Sequence, residues 1–79
     1  MRIYDTDGDK ALNEICIYLT LEEAQELRAG LSMLIKDPAK HHDHVSDADC
    51  KKKLTVAVYA ESNIDQFDQR SRRLIEEDR

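Results

Sequence analysis

This sequence lacks the features that mark membrane-spanning or secreted proteins. No apolar run approaches about 18 residues, so no transmembrane helix is predicted. The first residues, Met1–Asp5, turn acidic at once and have no apolar core of the kind that a signal peptide needs. We therefore expect a cytoplasmic protein.

Aromatic residues, glycine and cysteine are also scarce, and each scarcity argues against a class of function. The aromatic content of 5% is too low for the stacking platforms that bind single-stranded nucleic acid. With two glycines, the chain has no phosphate-binding loop and no nucleophile elbow. Cys16 and Cys50 do not form a CxxC motif, so we expect free thiols in a reducing compartment.

Size and charge narrow the function further. A chain of 79 residues makes one domain, predicted over residues 1–79, and a pocket for catalysis would use up much of its small core. A net charge of −5 argues against nucleic acid and anionic membranes as partners. We expect a non-enzymatic protein without a cofactor.

The first third of the chain predicts a β-hairpin. Arg2–Tyr4 is a short strand, and Asp5–Lys10 is a turn that contains the Asp-Gly pair favoured in hairpins. A second strand is predicted over Leu12–Leu19, because Ile15 and Ile17 belong to an apolar series with a period of two.

The same turn partly matches a calcium-binding loop, since Asp5, Asp7 and Asp9 alternate as the ligands of such a loop do. The match then fails, because Lys10 stands where the sharp turn needs glycine, and Cys16 stands where a bidentate glutamate is needed. We interpret the segment as a hairpin turn.

A long amphipathic helix follows. Thr20 and Glu23 form a capping box at its start, and Pro38 ends it by Asp37. Gly30 lies inside the helix at a cost of about 1 kcal/mol relative to alanine, which a close approach of the sheet backbone would explain. One apolar stripe is predicted, made of Leu21, Ala24, Leu27, Leu31, Leu34 and Ile35.

A second hairpin is predicted from strands at His41–Asp47 and Lys51–Tyr59. Ser62 or Asn63 then caps a short C-terminal helix, and residues 76–79 fray. The predicted fold class is α+β: a two-layer domain with an antiparallel sheet of about four strands, in the order β-β-α-β-β. The long helix covers one face of the sheet, against the residues Ile15, Ile17, Leu19, Leu54, Val56 and Val58.

All three histidines of the chain lie in the segment His41–His44. Imidazole is the commonest protein ligand of zinc, and it titrates near neutral pH. Strand alternation places His42 and His44 on one face, and His41, Asp43 and Val45 on the other. Two imidazoles can chelate zinc, but a stable site needs a third ligand, either Cys50 or residues of a second copy.

The second face of the predicted sheet is too apolar to be fully solvated. Either the C-terminal helix or a second copy of the chain covers it. We therefore predict a protein-interaction or regulatory module that forms a homodimer. The alternative is a small zinc-binding protein that uses His42 and His44, and a third hypothesis is an enzyme with an anionic ligand near Arg70–Arg73. The residues predicted on the second face are Cys16, Tyr18, Thr55, Ala57 and Tyr59.

Overall fold

A computed structural model describes residues 1–40 and 42–79. Over these residues the chain has four strands and two α-helices, which confirms the predicted α+β class. No helix in the described part is long and apolar enough to cross a membrane. The elements are β1 (Ile3–Asp5), β2 (Lys10–Leu12), α1 (Leu21–Lys36), β3 (His42–Ser46), β4 (Lys53–Ala57) and α2 (Gln69–Glu77), with short 3₁₀ turns at Pro38–Lys40 and Ile64–Gln66.

The described residues divide into two compact units. We call Tyr18–Gln66 the central unit, and Met1–Ile17 together with Phe67–Arg79 the terminal unit. Within the described chain β1 pairs with β2 and β3 pairs with β4, so the strands form two antiparallel hairpins where the sequence predicts one sheet. Each hairpin joins strands that are neighbours in sequence, which is the connection with the shortest loop to close. That residues 1–79 form a single domain stays a prediction.

Helix α1 begins and ends where its sequence signals predict. The Thr20 hydroxyl accepts a hydrogen bond of 3.2 Å from the Glu23 amide, and the Glu23 carboxylate accepts one of 2.9 Å from the Thr20 amide. At the other end the Asp37 amide donates to the Met33 carbonyl at 2.9 Å, and Pro38 follows. The capping box is therefore formed, and the helix stops at Lys36.

Gly30 lies where a side chain of the second hairpin comes close to α1. Gly30 is buried, and a Cβ atom built there would overlap the Asp43 carboxylate and lie 3.2 Å from its Cγ. The predicted close approach of the sheet backbone is not what is found, because the approaching atoms belong to the Asp43 side chain of β3. Glycine is needed here for space, which accounts for its presence in the middle of a helix.

The apolar stripe of α1 is only partly buried, which corrects the prediction of one continuous buried face. Leu34 is 0% exposed, whereas Leu21 and Ile35 are 75% and 73% exposed. Strand β3 packs along the line of Gly30 and Leu34. The five residues of β3 span about 17 Å, whereas the 16 residues of α1 span about 24 Å. The second hairpin is therefore too short to cover the whole stripe.

The second predicted strand is much shorter than expected. β2 ends at Leu12, and residues 13–20 have no regular secondary structure. The register pairs Ile3 with Leu12, and since β1 begins at Ile3, the residues after Leu12 have no β1 residue opposite them. Ile15 and Ile17, predicted to pack beneath α1, are 51% and 49% exposed. Their alternation is a β-pattern without a partner strand in the described chain.

The C-terminal helix begins later than predicted. α2 starts at Gln69, so neither Ser62 nor Asn63 caps it. Asn63 is instead buried, with 2% of its surface exposed. Its amide group bonds to main-chain atoms of Pro38, Val58 and Ala60. α2 extends to Glu77, and the fraying of residues 76–79 stays a prediction.

Arg2 links the N-terminal and C-terminal segments of the terminal unit. The Arg2 Nε–H group donates to the carbonyls of Leu74 at 3.1 Å and Ile75 at 3.2 Å. These carbonyls belong to the last turn of α2, and the Leu74 carbonyl also accepts the Asp78 amide at 2.9 Å. Leu74, which is 9% exposed, is the buried apolar residue of this unit in the described structure.

Candidate functional site on the outward face of the second hairpin

The hairpin of β3 and β4 has one face toward α1 and one away from it. Val45 pairs with Leu54 and Asp43 with Val56, and these residues face the helix. Val45 is 4% exposed, and burial alternates strictly along β3. The prediction that Val45 faces the core and that His42 and His44 share the opposite face is confirmed.

We call the other side of this hairpin the outward face. It consists of three cross-strand pairs: His42 with Ala57, His44 with Thr55, and Ser46 with Lys53. All six residues are exposed. His41 lies outside the described residues, so its predicted place on the opposite face stays a prediction.

His42 and His44 stand side by side on this face. Their ring centroids are 5.1 Å apart, and the ring planes meet at 62°. His44 Nδ1 lies 2.8 Å from the Thr55 hydroxyl oxygen. In the tautomer in which Nδ1–H donates to Thr55, the lone pair of His44 is on Nε2, the atom that would bind a metal.

Within one copy, this face supplies an incomplete metal site. Among the described residues no group of three or more His, Cys, Asp or Glu side chains is arranged to hold a metal ion. Cys50, the predicted third ligand, lies in the loop between β3 and β4 and does not complete such a group. Among the described residues, this face therefore offers two imidazoles as potential metal ligands.

The predicted interface residues do not all share this face. Thr55 and Ala57 lie on it, and Tyr59 follows the end of β4 and is 40% exposed. Cys16 and Tyr18 lie in the irregular segment before α1, so their predicted position on a strand is wrong. Cys16 is a free, exposed cysteine.

A second polar cluster, in the terminal unit, escaped the sequence analysis. Arg70 Nε lies 2.7 Å from Asp9 Oδ1, its guanidinium carbon is 4.5 Å from the centroid of the Tyr4 ring, and the Tyr4 hydroxyl donates to Asp9. The hydrogen bond from Tyr4, assisted by Arg70, lowers the pKa of the Asp9 carboxyl. The same bond to Asp9 raises the pKa of Tyr4. Arg70 is 61 residues from Asp9 in sequence, so no local pattern joins it to Tyr4 and Asp9.

The arginines of α2 do not form a free cationic site. They line an open depression together with Glu76 and Glu77. Arg70 is engaged by Asp9, and Arg72 lies 4.0 Å from Glu76. This mixture of charges gives little support to an anionic ligand.

In the acidic turn at residues 5–9, the Asp5 carboxylate forms hydrogen bonds within the turn. Asp5 Oδ1 accepts hydrogen bonds of 3.1 Å from the amides of Asp7 and Gly8. A side-chain oxygen that closes a turn in this way is typical of a hairpin loop. This arrangement agrees with the hairpin interpretation of the segment.

Comparison with known proteins adds no family to these observations. No protein-family model matches the chain, and no curated protein or solved structure is significantly similar to it. The function must therefore be argued from the residues themselves.

Proposed function

We propose that this protein is a non-enzymatic interaction module that associates with a second copy of itself through the outward face of β3 and β4. The observation that carries the proposal is the absence of charge from two of the three cross-strand pairs of this face, the third pair containing Lys53. The pairs His42–Ala57 and His44–Thr55 contain no carboxylate and no permanent cation, in a chain of which 37% of the residues are charged. Depletion of charge is what distinguishes the centre of an interface from the rest of a protein surface.

The distribution of apolar residues supports the same proposal. Among the described residues, the hydrophobic side chains that are buried are Leu34, Val45 and Leu74. Many large hydrophobic residues remain exposed, including Tyr59 beside the outward face. Exposed apolar surface of this kind is typical of proteins that bind other proteins.

A second copy is the partner that we infer. A two-fold axis that lies between two such faces, level with His42 and His44, brings these residues of one copy against the same residues of the other. Such self-complementary contacts are the commonest form of protein oligomer.

Sedimentation equilibrium of the full chain over a range of concentrations tests the proposal. We expect a monomer–dimer equilibrium that Ala57→Glu weakens, because a carboxylate on each copy would be brought together at the axis. Ala29→Glu is the matched control, since Ala29 is an exposed alanine on α1. A chain that stays monomeric at high concentration would contradict the proposal, and so would equal effects of the two substitutions.

A further inference from the structure

We propose that a zinc ion bridges the two copies, bound by His42 and His44 of each. This inference rests on the proposed self-association and names the ligand of the same surface. The outward face is too small to form a stable protein interface by its area alone. The five residues of β3 span about 17 Å, and two strands of this length cover far less than the roughly 800 Å² per partner of a standard interface. A shared metal would supply binding free energy that the area does not.

The spacing of the imidazoles suits a tetrahedral ion. With zinc–nitrogen bonds of about 2.0–2.1 Å, the ion lies about 3.2 Å from the centroid of each ligating ring. For an ion placed on the nitrogen lone-pair axis of both rings, the observed centroid separation of 5.1 Å would correspond to a nitrogen–zinc–nitrogen angle of about 105°. This angle is close to the tetrahedral value, and the 62° between the ring planes shows that the rings do not stack face to face.

Thr55 orients one of the ligands. Histidines that bind metals commonly donate their second ring N–H to a neighbouring acceptor, which fixes the ring and the tautomer. The contact of 2.8 Å between His44 Nδ1 and the Thr55 hydroxyl provides this arrangement. Thr55 is therefore a positioning residue, because it acts on the metal only through His44.

The remaining ligands come from the second copy. One copy offers a pair of histidines, with no third ligand among the described residues. A two-fold axis through the ion would supply the same pair again, and four nitrogens complete a tetrahedral site. Imidazole favours zinc, copper and nickel over magnesium and calcium. Two chains of net charge −5 carry −10 together, which favours a bound cation over an anion.

Native mass spectrometry and sedimentation of the full chain, first stripped with a chelator and then given ZnCl₂, test this inference. We expect one zinc per two chains and a dimer dissociation constant that falls at least about tenfold. MgCl₂ should have no effect. Co²⁺ in place of zinc should give the intense visible absorption of tetrahedral cobalt.

The variants separate the ligands from their support. His42→Ala and His44→Ala should each abolish stoichiometric zinc binding without changing the far-ultraviolet circular dichroism, because both side chains are exposed. Thr55→Val should weaken zinc binding by about 10–100-fold while keeping the stoichiometry, as expected for a residue that orients a ligand.

The outcomes distinguish the two proposals. A dimer that forms equally well with chelator, with zinc and in the histidine variants would overturn the zinc bridge and leave self-association standing. Zinc bound as one ion per chain without dimerisation would overturn the bridge as well. A monomer under all conditions would overturn both.

Discussion

The central and terminal units are stabilised by different kinds of interaction. The central unit buries Leu34 completely and Val45 almost completely, and it places Asn63 among main-chain partners. The terminal unit depends on two arginines at its surface. Arg2 donates a hydrogen bond to a carbonyl at the end of α2, and Arg70 forms an ion pair with Asp9. Packing and buried hydrogen bonds are insensitive to salt, whereas exposed charged contacts are screened by it. The two units should therefore respond to different perturbations.

The largest effect is expected from Leu34→Ala. Because Leu34 is 0% exposed, its truncation leaves a cavity between α1 and β3, and the free energy of unfolding should fall by about 2–5 kcal/mol. Ile35→Ala is the control, since Ile35 is 73% exposed and should change stability by less than about 0.5 kcal/mol. Urea denaturation followed by circular dichroism measures both. Similar losses for the two variants would mean that the core is not where the structure places it.

The second largest loss of stability is expected from Asn63→Ala. Asn63 Nδ2 donates to the carbonyls of Val58 at 2.8 Å and Pro38 at 2.9 Å, and Oδ1 accepts from the Ala60 amide at 2.7 Å. Alanine would leave these main-chain groups without their partner, at a cost of about 2–3 kcal/mol. Ser62→Ala, at an exposed neighbouring position, should cost much less. Equal urea midpoints for the two variants would show that water replaces the Asn63 amide without loss.

Helix α1 and strand β2 show which features of this fold can be predicted from the sequence and which cannot. The limits of α1 depend on neighbouring residues, Thr20 with Glu23 at the start and Pro38 at the end, and the prediction is correct. The end of β2 depends on the length of β1, and the pattern over Ile15 and Ile17 contains no information about that length.

The candidate site also has one feature that the sequence predicts and one that it does not. Alternation along one strand predicts that His42 and His44 share a face, and this is confirmed. The partnership of His44 with Thr55 depends on the cross-strand register, and hence on the loop between Ser46 and Lys53. The sequence therefore predicts the pair of histidines proposed as ligands, but not the contact between His44 and Thr55.

A smaller effect, in the central unit, should come from Gly30 and Asp43 in a double-mutant cycle. Gly30→Ala alone should destabilise the protein by about 1 kcal/mol, because the new methyl group meets the Asp43 carboxylate. In an Asp43→Ala background the same change should stabilise by about 0.5–1 kcal/mol, since alanine is the better helix former. The two sites should thus be coupled by about 1.5–2 kcal/mol. An unchanged effect of Gly30→Ala in both backgrounds would show that Asp43 is not what excludes the side chain.

The smallest effect is expected at Asp9 in the terminal unit, and it should depend on pH. The hydrogen bond from Tyr4, with help from Arg70, lowers the pKa of Asp9 below its ordinary value of 3.8. A carboxyl whose pKa is lowered by folding stabilises the native state above the unfolded pKa, and that contribution is lost as the pH falls through the folded pKa. The stability advantage of the native chain over Asp9→Asn should therefore be present at pH 6, begin to fall near pH 3.8, and disappear as the pH falls through the lowered pKa of Asp9 in the folded protein.

The same comparison in high salt separates this contact from packing. About 1 M NaCl should reduce the Asp9→Asn difference at pH 6, since both partners are partly exposed, and should leave the Leu34→Ala difference nearly unchanged. Asp7→Asn is the matched control, because Asp7 lies in the same turn outside the Tyr4–Asp9–Arg70 cluster. If Asp7→Asn showed the same dependence on pH and salt as Asp9→Asn, the general charge of the turn would be responsible. The proposed contrast between a packed unit and a charge-stabilised unit would then fail at the terminal unit.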